Sequence, residues 1–288
     1  MKKYFKQVTL TFMIFVLSLV LTGCGDKKET IVKPKPIVKL NTTDVVTFKD
    51  TNLEKLVRTK INKPTGNILG SDMANIYDIN IKGKNTTDII SDLTGLEYAS
   101  NLSSIIITYS SIDSLTPISN LANLTYIQVS YRKIAKPIVF GNVPKLSTLY
   151  FASVELNSLS FLSGITTLST LIATECGISD ITPLKALNNL SDVTLSYNSI
   201  KSLTALENKT KLKFLNLQDN EISDITPLKT ATALEDLTLS YNKVGKLTAL
   251  LKLENLKELT IYEEAATRMA DNGDMQFLID KGVKVKFQ

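Results

Sequence analysis

The sequence predicts an α/β repeat solenoid, in which short parallel strands form a concave sheet and 3₁₀ or irregular turns form the convex side. Apolar residues recur every 22 residues from Leu102 to Ile261. Within each unit they alternate, as in a short strand that is buried on one face. Apolar segments of a different pattern at both ends predict a helical N-terminal cap and a small C-terminal cap.

The repeat keeps one register throughout. The first core position of the predicted strands is occupied by Ile105, Ile127, Leu149, Leu171, Val193, Leu215, Leu237 and Leu259. A second apolar residue follows two positions later in every unit, from Ile107 to Ile261. Because 22 residues must supply both a strand and its return, we expect 3₁₀ turns on the convex side. The prolines Pro117, Pro183 and Pro227 also oppose a regular helix there.

The most regular units have the spacing L-x-x-L-x-L-x-x-N-x-L, which is the leucine-rich-repeat pattern. One of them runs from Leu212 to Ile222 and another from Leu234 to Val244. The asparagine position is occupied by Asn198, Asn220 and Asn242, whose amides are expected to bond backbone groups of neighbouring turns. We call this row the asparagine ladder.

The earlier units depart from the ladder, since Ser110, Arg132, Val154 and Cys176 stand at its position. Cysteine is an accepted substitute there among leucine-rich repeats. Cys176 is therefore expected to be a buried structural thiol rather than a nucleophile. Arg132 is expected either to extend outward or to mark a bent repeat.

The repeats and the segment before them resemble those of internalins. Ile178-Ser179-Asp180-Ile181-Thr182-Pro183-Leu184 and Ile222-Ser223-Asp224-Ile225-Thr226-Pro227-Leu228 look like internalin repeats, and Phe48–Glu54, Ile61–Gly66 and Ile90–Ala99 resemble the internalin N-terminal cap. The resemblance covers about residues 46–262. It implies a solenoid that binds a protein, such as a host receptor, without catalysis, and hence a role in adhesion or virulence. The family's immunoglobulin-like module and wall-sorting motif are not found.

Residues 1–23 are predicted to be a lipoprotein signal peptide. Lysines at the start precede an apolar run over 8–21 that is short for a bilayer span. Leu21-Thr22-Gly23-Cys24 resembles a bacterial lipobox, which implies a diacylglyceryl group on Cys24. Residues 24–44 then form a Lys/Pro tether. These features indicate an exported lipoprotein on the outer face of the membrane of a Gram-positive-like bacterium.

The two predicted caps close the ends of the repeats. Residues 45–101 hold the N-terminal cap and a first degenerate repeat, with a helix over Thr51–Ile61 capped by Asp50. Residues 102–262 are the repeats. Residues 263–288 form the C-terminal cap, with a helix over Asp274–Lys281 stopped by Gly282 and a final strand over 283–287.

Charge and composition exclude several functions. From Val45 onward, basic and acidic residues are equal in number, 25 of each, which disfavours nucleic acid as a partner. The chain contains no histidine and two cysteines. We therefore predict no catalytic site, no metal site and no cofactor.

The candidate ligand-binding residues lie between the core positions, where side chains are expected to point outward. They are Tyr109, Tyr131, Tyr150, Glu175, Asp192, Tyr197, Phe214, Asp219, Asp236, Tyr241, Glu258 and Tyr262. A column that includes Ser130, Ala152, Ser196 and Ser240 is expected to face outward as well. The only basic residues found in these columns are Lys133 and Lys243, so an acidic groove and an extracellular protein partner with a basic surface are predicted.

Other interpretations of these residues stay open. The tyrosines could pack along the strand edge, and the acidic residues could form a solvated face or a calcium site. The ligand could be a polymer or a protein of the bacterium's own envelope. Asp192 and Asp236, two turns apart, could also serve an inverting glycosidase and thus an envelope hydrolase.

Lipidation predicts a specific phenotype for Cys24→Ser. Without the thiol that carries the lipid, the precursor is expected to stay unprocessed or the protein to be released from the membrane. Membrane fractionation with labelled fatty acid measures both effects, and Cys176→Ser is the matched control. Unchanged mobility and unchanged lipid labelling of the Cys24→Ser protein would contradict the predicted lipid anchor.

Overall fold

A computed structural model describes residues 40–83, 89–262 and 273–288, so the predicted signal peptide, Cys24 and most of the tether lie outside it. In the described residues, ten parallel strands form one sheet in sequence order. They are β1 Asp78–Lys82, β2 Ser104–Thr108, β3 Tyr126–Ser130, β4 Thr148–Ala152, β5 Thr170–Thr174, β6 Asp192–Thr194, β7 Phe214–Asn216, β8 Asp236–Thr238, β9 Glu258–Ile261 and β10 Lys284–Phe287. The predicted repeat solenoid is confirmed, with one strand added at each end of the eight repeats.

The 22-residue period becomes the register of the sheet. Ile105 pairs with Ile127, and Val193 pairs with Leu215. Every inward-facing residue of one strand therefore rests on its equivalent in the next. The result is a single apolar core that runs the length of the repeats, in which most leucines and isoleucines are fully buried.

The convex side consists of 3₁₀ turns, as predicted, except between β3 and β4, where the connection is irregular. From Thr116 onward they span Thr116–Ile118, Ser160–Leu162, Thr182–Ala186, Thr204–Leu206, Thr226–Thr230 and Thr248–Leu250. Pro117, Pro183 and Pro227 lie in the first turn of their segments, where a missing N–H leaves no helical acceptor unpaired.

A second row of asparagines, which the sequence analysis missed, links the convex turns. The amides of Asn101, Asn123, Asn189 and Asn255 donate to the carbonyls of Ala74, Ser100, Thr166 and Thr232 in the preceding turns. Its signal was present in the sequence, because each asparagine directly precedes a buried leucine of the repeat.

Three α-helices are found in the described residues: α1 Thr51–Lys60, α2 Gly70–Met73 and α3 Asp274–Asp280. Helix α1 begins at the Asp50 cap, whose carboxylate accepts from the N–H groups of Asn52 and Leu53. The helix ends at Lys60, one residue before the predicted end at Ile61. Among the described residues, no helix is both long and apolar enough to cross a membrane.

Helix α3 is fixed to the last repeat by its first residue. The carboxylate of Asp274 accepts from the N–H of Leu247 at 3.1 Å and from the hydroxyl of Thr248 at 2.8 Å. The chain then turns at Gly282, whose φ is 95°. This turn leads into β10, which pairs with β9 through Val285 and Leu259. The last repeat is thus covered by a helix and extended by a strand.

One lysine is buried in the convex side. Lys209 is 2% exposed and stands where neighbouring repeats have Leu187 and Ala231. Its ammonium donates to the carbonyl of Lys185 at 2.7 Å and to Asn188 Oδ1 at 3.2 Å. Burial lowers the pKa of this lysine. Both acceptors belong to solvent-exposed residues, so the charge is held just beneath the surface.

The asparagine ladder joins each repeat to the preceding one. The amide nitrogen of Asn220 donates to the carbonyl of Leu195 at 2.9 Å and to that of Leu217 at 3.0 Å. Its amide oxygen accepts from the N–H of Ile200 at 3.0 Å. Asn198 and Asn242 repeat this arrangement. Each side chain satisfies backbone groups that would otherwise be buried without partners.

Cys176 takes part of this role. Its thiol is fully buried and directed at the carbonyl of Phe151, 25 residues earlier, which is the same step that separates Asn198 from Ala173. Burial raises its pKa to about 12, so the thiolate needed for nucleophilic chemistry is suppressed.

Asn220→Ala is expected to lower the free energy of unfolding by about 2–4 kcal/mol, because several buried backbone groups lose their partners at once. Asn255→Ala removes one exposed hydrogen bond and is the matched control, with an expected loss below about 1 kcal/mol. Denaturant unfolding of both variants measures the difference. Equal losses would mean that the ladder contributes no more than a surface amide.

Candidate ligand-binding face

Two columns of side chains project from the concave sheet. The register aligns Asp192 with Phe214, Phe214 with Asp236, and Asp236 with Glu258 on successive strands. Beside them runs a second column that includes Gln128, Tyr150, Ile172, Thr194, Asn216 and Thr238. At a strand spacing of about 4.8 Å, ten strands give a surface roughly 43 Å long.

A row of tyrosines lies where the strands end. Tyr109, Tyr131, Tyr197 and Tyr241 are between 46% and 50% exposed, so about half of each ring is available to a ligand. All four have left-handed backbone, with φ between 57° and 63°. Their equivalents Ser153, Glu175 and Asp219 share this conformation. The left-handed turn therefore belongs to the repeat, while the choice of tyrosine is particular to four units.

Neighbouring side chains hold these rings in place. The rings of Tyr109 and Tyr131 stack with centroids 4.9 Å apart. Tyr241 and Tyr262 are 4.6 Å apart, and Tyr262 is the more buried of the two. The hydroxyl of Tyr197 accepts a hydrogen bond from Gln218 at 3.0 Å. The row is thus ordered before any ligand arrives.

The structure corrects one expected column. Ser130, Ala152, Ser196 and Ser240 do not face the ligand side but are at most 6% exposed. They stand just before the left-handed residues, where the chain bends back over the core. A column drawn by alternation fails at this point because the chain is at or just past the last residue of the strand and begins to turn.

The acidic groove also needs correction, because several carboxylates have basic partners. Glu155 pairs with Lys133, and Glu221 lies near both Lys201 and Lys243. Glu258 pairs with Lys286 of β10, which the sequence analysis did not place on this face. The alternating pattern of 284–287 indicates a strand, and a strand that extends the sheet can bring its lysines to the concave face.

Four of the predicted carboxylates form no ion pair among the described residues: Glu175 and Asp219 are exposed at the strand ends, whereas the other two are partly buried on the strands. Asp192 and Asp236 form no ion pair with any lysine or arginine there, and each is partly buried. Between them stands Phe214, 47% exposed. Together with Thr170, Thr194 and Asn216 they line a shallow, open depression of about 650 Å³. Two partly buried carboxylates without ion pairs therefore flank one exposed aromatic ring.

Burial raises the pKa of Asp236, and the nearby charge of Glu258 raises it further, while Lys286 acts in the opposite direction. The ionised form of Asp236 is thus disfavoured in the folded protein. A convex carboxylate behaves oppositely: the hydroxyl and the N–H of Thr226 hold the pKa of Asp224 below its usual range.

The other sequence-predicted residues are distributed along the sheet. Tyr150 lies half-buried on β4, where it pairs in register with Gln128 of β3. Glu175 is exposed at the strand ends and accepts from Ser153, and Asp219 is exposed in the same row. Arg132 extends outward, as one of the two expectations had it, and its Nε donates to the carbonyl of Tyr109 at 3.4 Å.

Within the described ranges, no group of three or more cysteine and carboxylate side chains is arranged to hold a metal ion. The calcium interpretation therefore gains no candidate site in this part of the chain.

These features define a leucine-rich-repeat solenoid, and two crystal structures share its fold. One is an internalin (inlF) from Listeria monocytogenes, 23% identical, with a TM-score of 0.59 over 83% of this chain and 75% of that chain. The other is an internalin C2 (inlC2) from the same species, 23% identical, with a TM-score of 0.60 over 86% of this chain and 100% of that chain. No protein-family model and no curated protein matches the sequence.

Asp236→Asn and Asp224→Asn are expected to change stability in opposite directions. A raised pKa means that the favourable contribution of Asp236 is complete below its unfolded-state pKa and is lost as pH rises through the folded-state pKa. Asp236→Asn should therefore stabilise the fold at pH 7, by less than about 1 kcal/mol after solvent screening, with no gain at low pH.

For Asp224 the sign reverses, since its contribution is present above the unfolded-state pKa and is lost as pH falls through the folded-state pKa. Asp224→Asn should cost a few tenths of a kcal/mol to about 1 kcal/mol at pH 7. Urea unfolding at pH 3 and pH 7 tests the pair. A destabilised Asp236→Asn protein at pH 7 would contradict the first expectation.

Proposed function

We propose that this chain is a bacterial surface lipoprotein whose leucine-rich-repeat face binds another protein without catalysis. The observation that carries the proposal is a set of half-exposed aromatic residues on a rigid parallel sheet. The set consists of the tyrosine row, Tyr109, Tyr131, Tyr197 and Tyr241, and of Phe214 in the neighbouring column. Exposed tyrosines on an ordered surface are the usual anchors of protein interfaces, because they bury a large area at little cost in conformational entropy.

Backbone strain supports a binding role for the tyrosines. A bulky residue in the left-handed region costs about 1 kcal/mol or more, whereas glycine and asparagine tolerate it. The structure carries this cost at Tyr109, Tyr131, Tyr197 and Tyr241, each of which leaves half its ring in solvent. Stability alone gives no reason to prefer tyrosine there. A ligand that covers the rings would supply one.

The N-terminal segment supports an extracellular partner. A lipid on Cys24 and a Lys/Pro tether over 24–44 would hold the solenoid at the outer face of the membrane with the sheet free to meet other molecules. Together with the internalin-like fold, this placement favours an adhesin that engages a host receptor. The unpaired carboxylates Asp192 and Asp236 favour a partner with a basic surface.

Tyr197→Asn combined with Tyr241→Asn tests the binding face. Asparagine relieves the left-handed backbone, so stability should change by less than about 1 kcal/mol, while binding should weaken at least about tenfold through the loss of two anchors. The purified full-length chain is titrated onto intact mammalian cells and, separately, onto walls stripped from Gram-positive bacteria.

Tyr77→Asn is the control, since Tyr77 is 59% exposed and lies outside the row. Saturable binding to mammalian cells that only the double variant loses supports the adhesin. Binding confined to the walls would make the chain a module for its own envelope instead. Full binding by the double variant to either surface would remove the tyrosine row from the interface.

A further inference from the structure

We propose that the depression between Asp192 and Asp236 receives an arginine side chain of the protein partner, with the guanidinium stacked on Phe214. This inference rests on the proposed function and names the chemistry of one contact within it. It is carried by the arrangement of three side chains on three successive strands, β6, β7 and β8.

The exposed aromatic ring is the first part of the argument. Phe214 is the only phenylalanine among the concave columns of the described repeats that leaves about half its surface in solvent, at 47%. It has no hydroxyl to satisfy, and no ring contact is found for it in the described residues. Phe214 lines the depression together with Thr170, Thr194 and Asn216. An unstacked ring of this kind attracts a cation through its quadrupole.

The distribution of charge is the second part. Several carboxylates on the sheet and its edges are neutralised within the chain, as Glu155 is by Lys133 and Glu258 by Lys286, while Glu175 and Asp219 have no ion pair but are exposed to solvent at the strand ends. The two carboxylates beside Phe214 have no ion pair in the described part of the chain, and both are partly buried. Partial burial makes Asp236 costly to keep ionised. A cation from outside would offset that cost.

The geometry favours arginine among cations. Asp192 and Asp236 stand two strand spacings apart, roughly 9.5 Å between backbones, with Phe214 in the middle. A guanidinium is planar, so it can stack on the ring while its opposite edges donate to a carboxylate on each side. An ammonium is a compact, strongly hydrated point charge and cannot reach both carboxylates from above the ring. A divalent metal would find two carboxylates held apart by a benzene ring, which is a poor ligand set.

The experiment uses octa-arginine and octa-lysine peptides as probes, titrated calorimetrically into the purified full-length chain at 50 mM and 150 mM salt. We expect octa-arginine to bind more tightly than octa-lysine. Asp192→Asn with Asp236→Asn should raise the Kd for octa-arginine at least about tenfold. Phe214→Leu should raise it about two- to fivefold for octa-arginine and less for octa-lysine.

Glu207→Gln with Glu254→Gln is the matched control, because it removes the same charge from exposed carboxylates of the convex turns, outside the candidate ligand-binding face. The control should change the Kd less than about threefold. Equal effects of the two double variants on the Kd would mean that the peptide binds through the general negative charge of the chain, and this would overturn the proposal. Equal affinity for both peptides, or no effect of Phe214→Leu, would overturn the stacked guanidinium.

The same variants, titrated on the cells and walls of the preceding assay, separate this inference from the proposed function. If the tyrosine variant loses partner binding and the Asp192→Asn/Asp236→Asn variant keeps it, the binding face stands and the arginine contact is contradicted. If none of the concave variants affects partner binding, the proposed function itself is contradicted.

Discussion

The pairing of each strand with the one 22 residues later is the constraint on which the rest of the structure depends. Because Ile105 lies on Ile127 and this register continues to Leu259, every inward side chain has an apolar neighbour in the adjacent repeats. A repeat of this size cannot bury its own apolar face, so stability comes from stacking. The same register aligns the outward columns, which is why rows of exposed side chains follow directly from the repeat.

Stacking also creates a difficulty, since the chain must turn at the end of every strand with its backbone groups buried. The asparagine ladder resolves it in the C-terminal half, where Asn198, Asn220 and Asn242 each bond backbone groups of their own repeat and of the preceding one. In the N-terminal half the position holds Ser110 and Val154, which offer no equivalent bonds, and the thiol of Cys176 supplies one. The strands there pair over five residues rather than three, so backbone pairing itself is more extensive in that half.

The features that support binding are those that stability does not explain. Tyrosines occupy left-handed positions at a cost in free energy, and the partly buried Asp236 is kept without an ion pair in the described residues. Most other carboxylates of the sheet have a lysine nearby. Local costs of this kind are tolerated when a partner relieves them. The tyrosine row and the depression lie on the same side of the sheet, one at the strand ends and one above β6 to β8, so a single partner could contact both.

The repeat length, the strands from Ile105 to Ile261, the 3₁₀ turns and the Asp50-capped helix could be predicted from the amino-acid sequence, because apolar periodicity and capping are local properties of the chain. The period also placed Asp192, Phe214 and Asp236 in one column. Which of those side chains are available to a ligand depends on the folded structure. It buried Ser130 and Ser240 where the strands end, and it carried Lys286 onto Glu258 from 28 residues away. The left-handed backbone of the tyrosines is likewise seen only in the folded structure. Exposure and charge pairing depend on which residues the stacking brings together. The period of the sequence does not give this information.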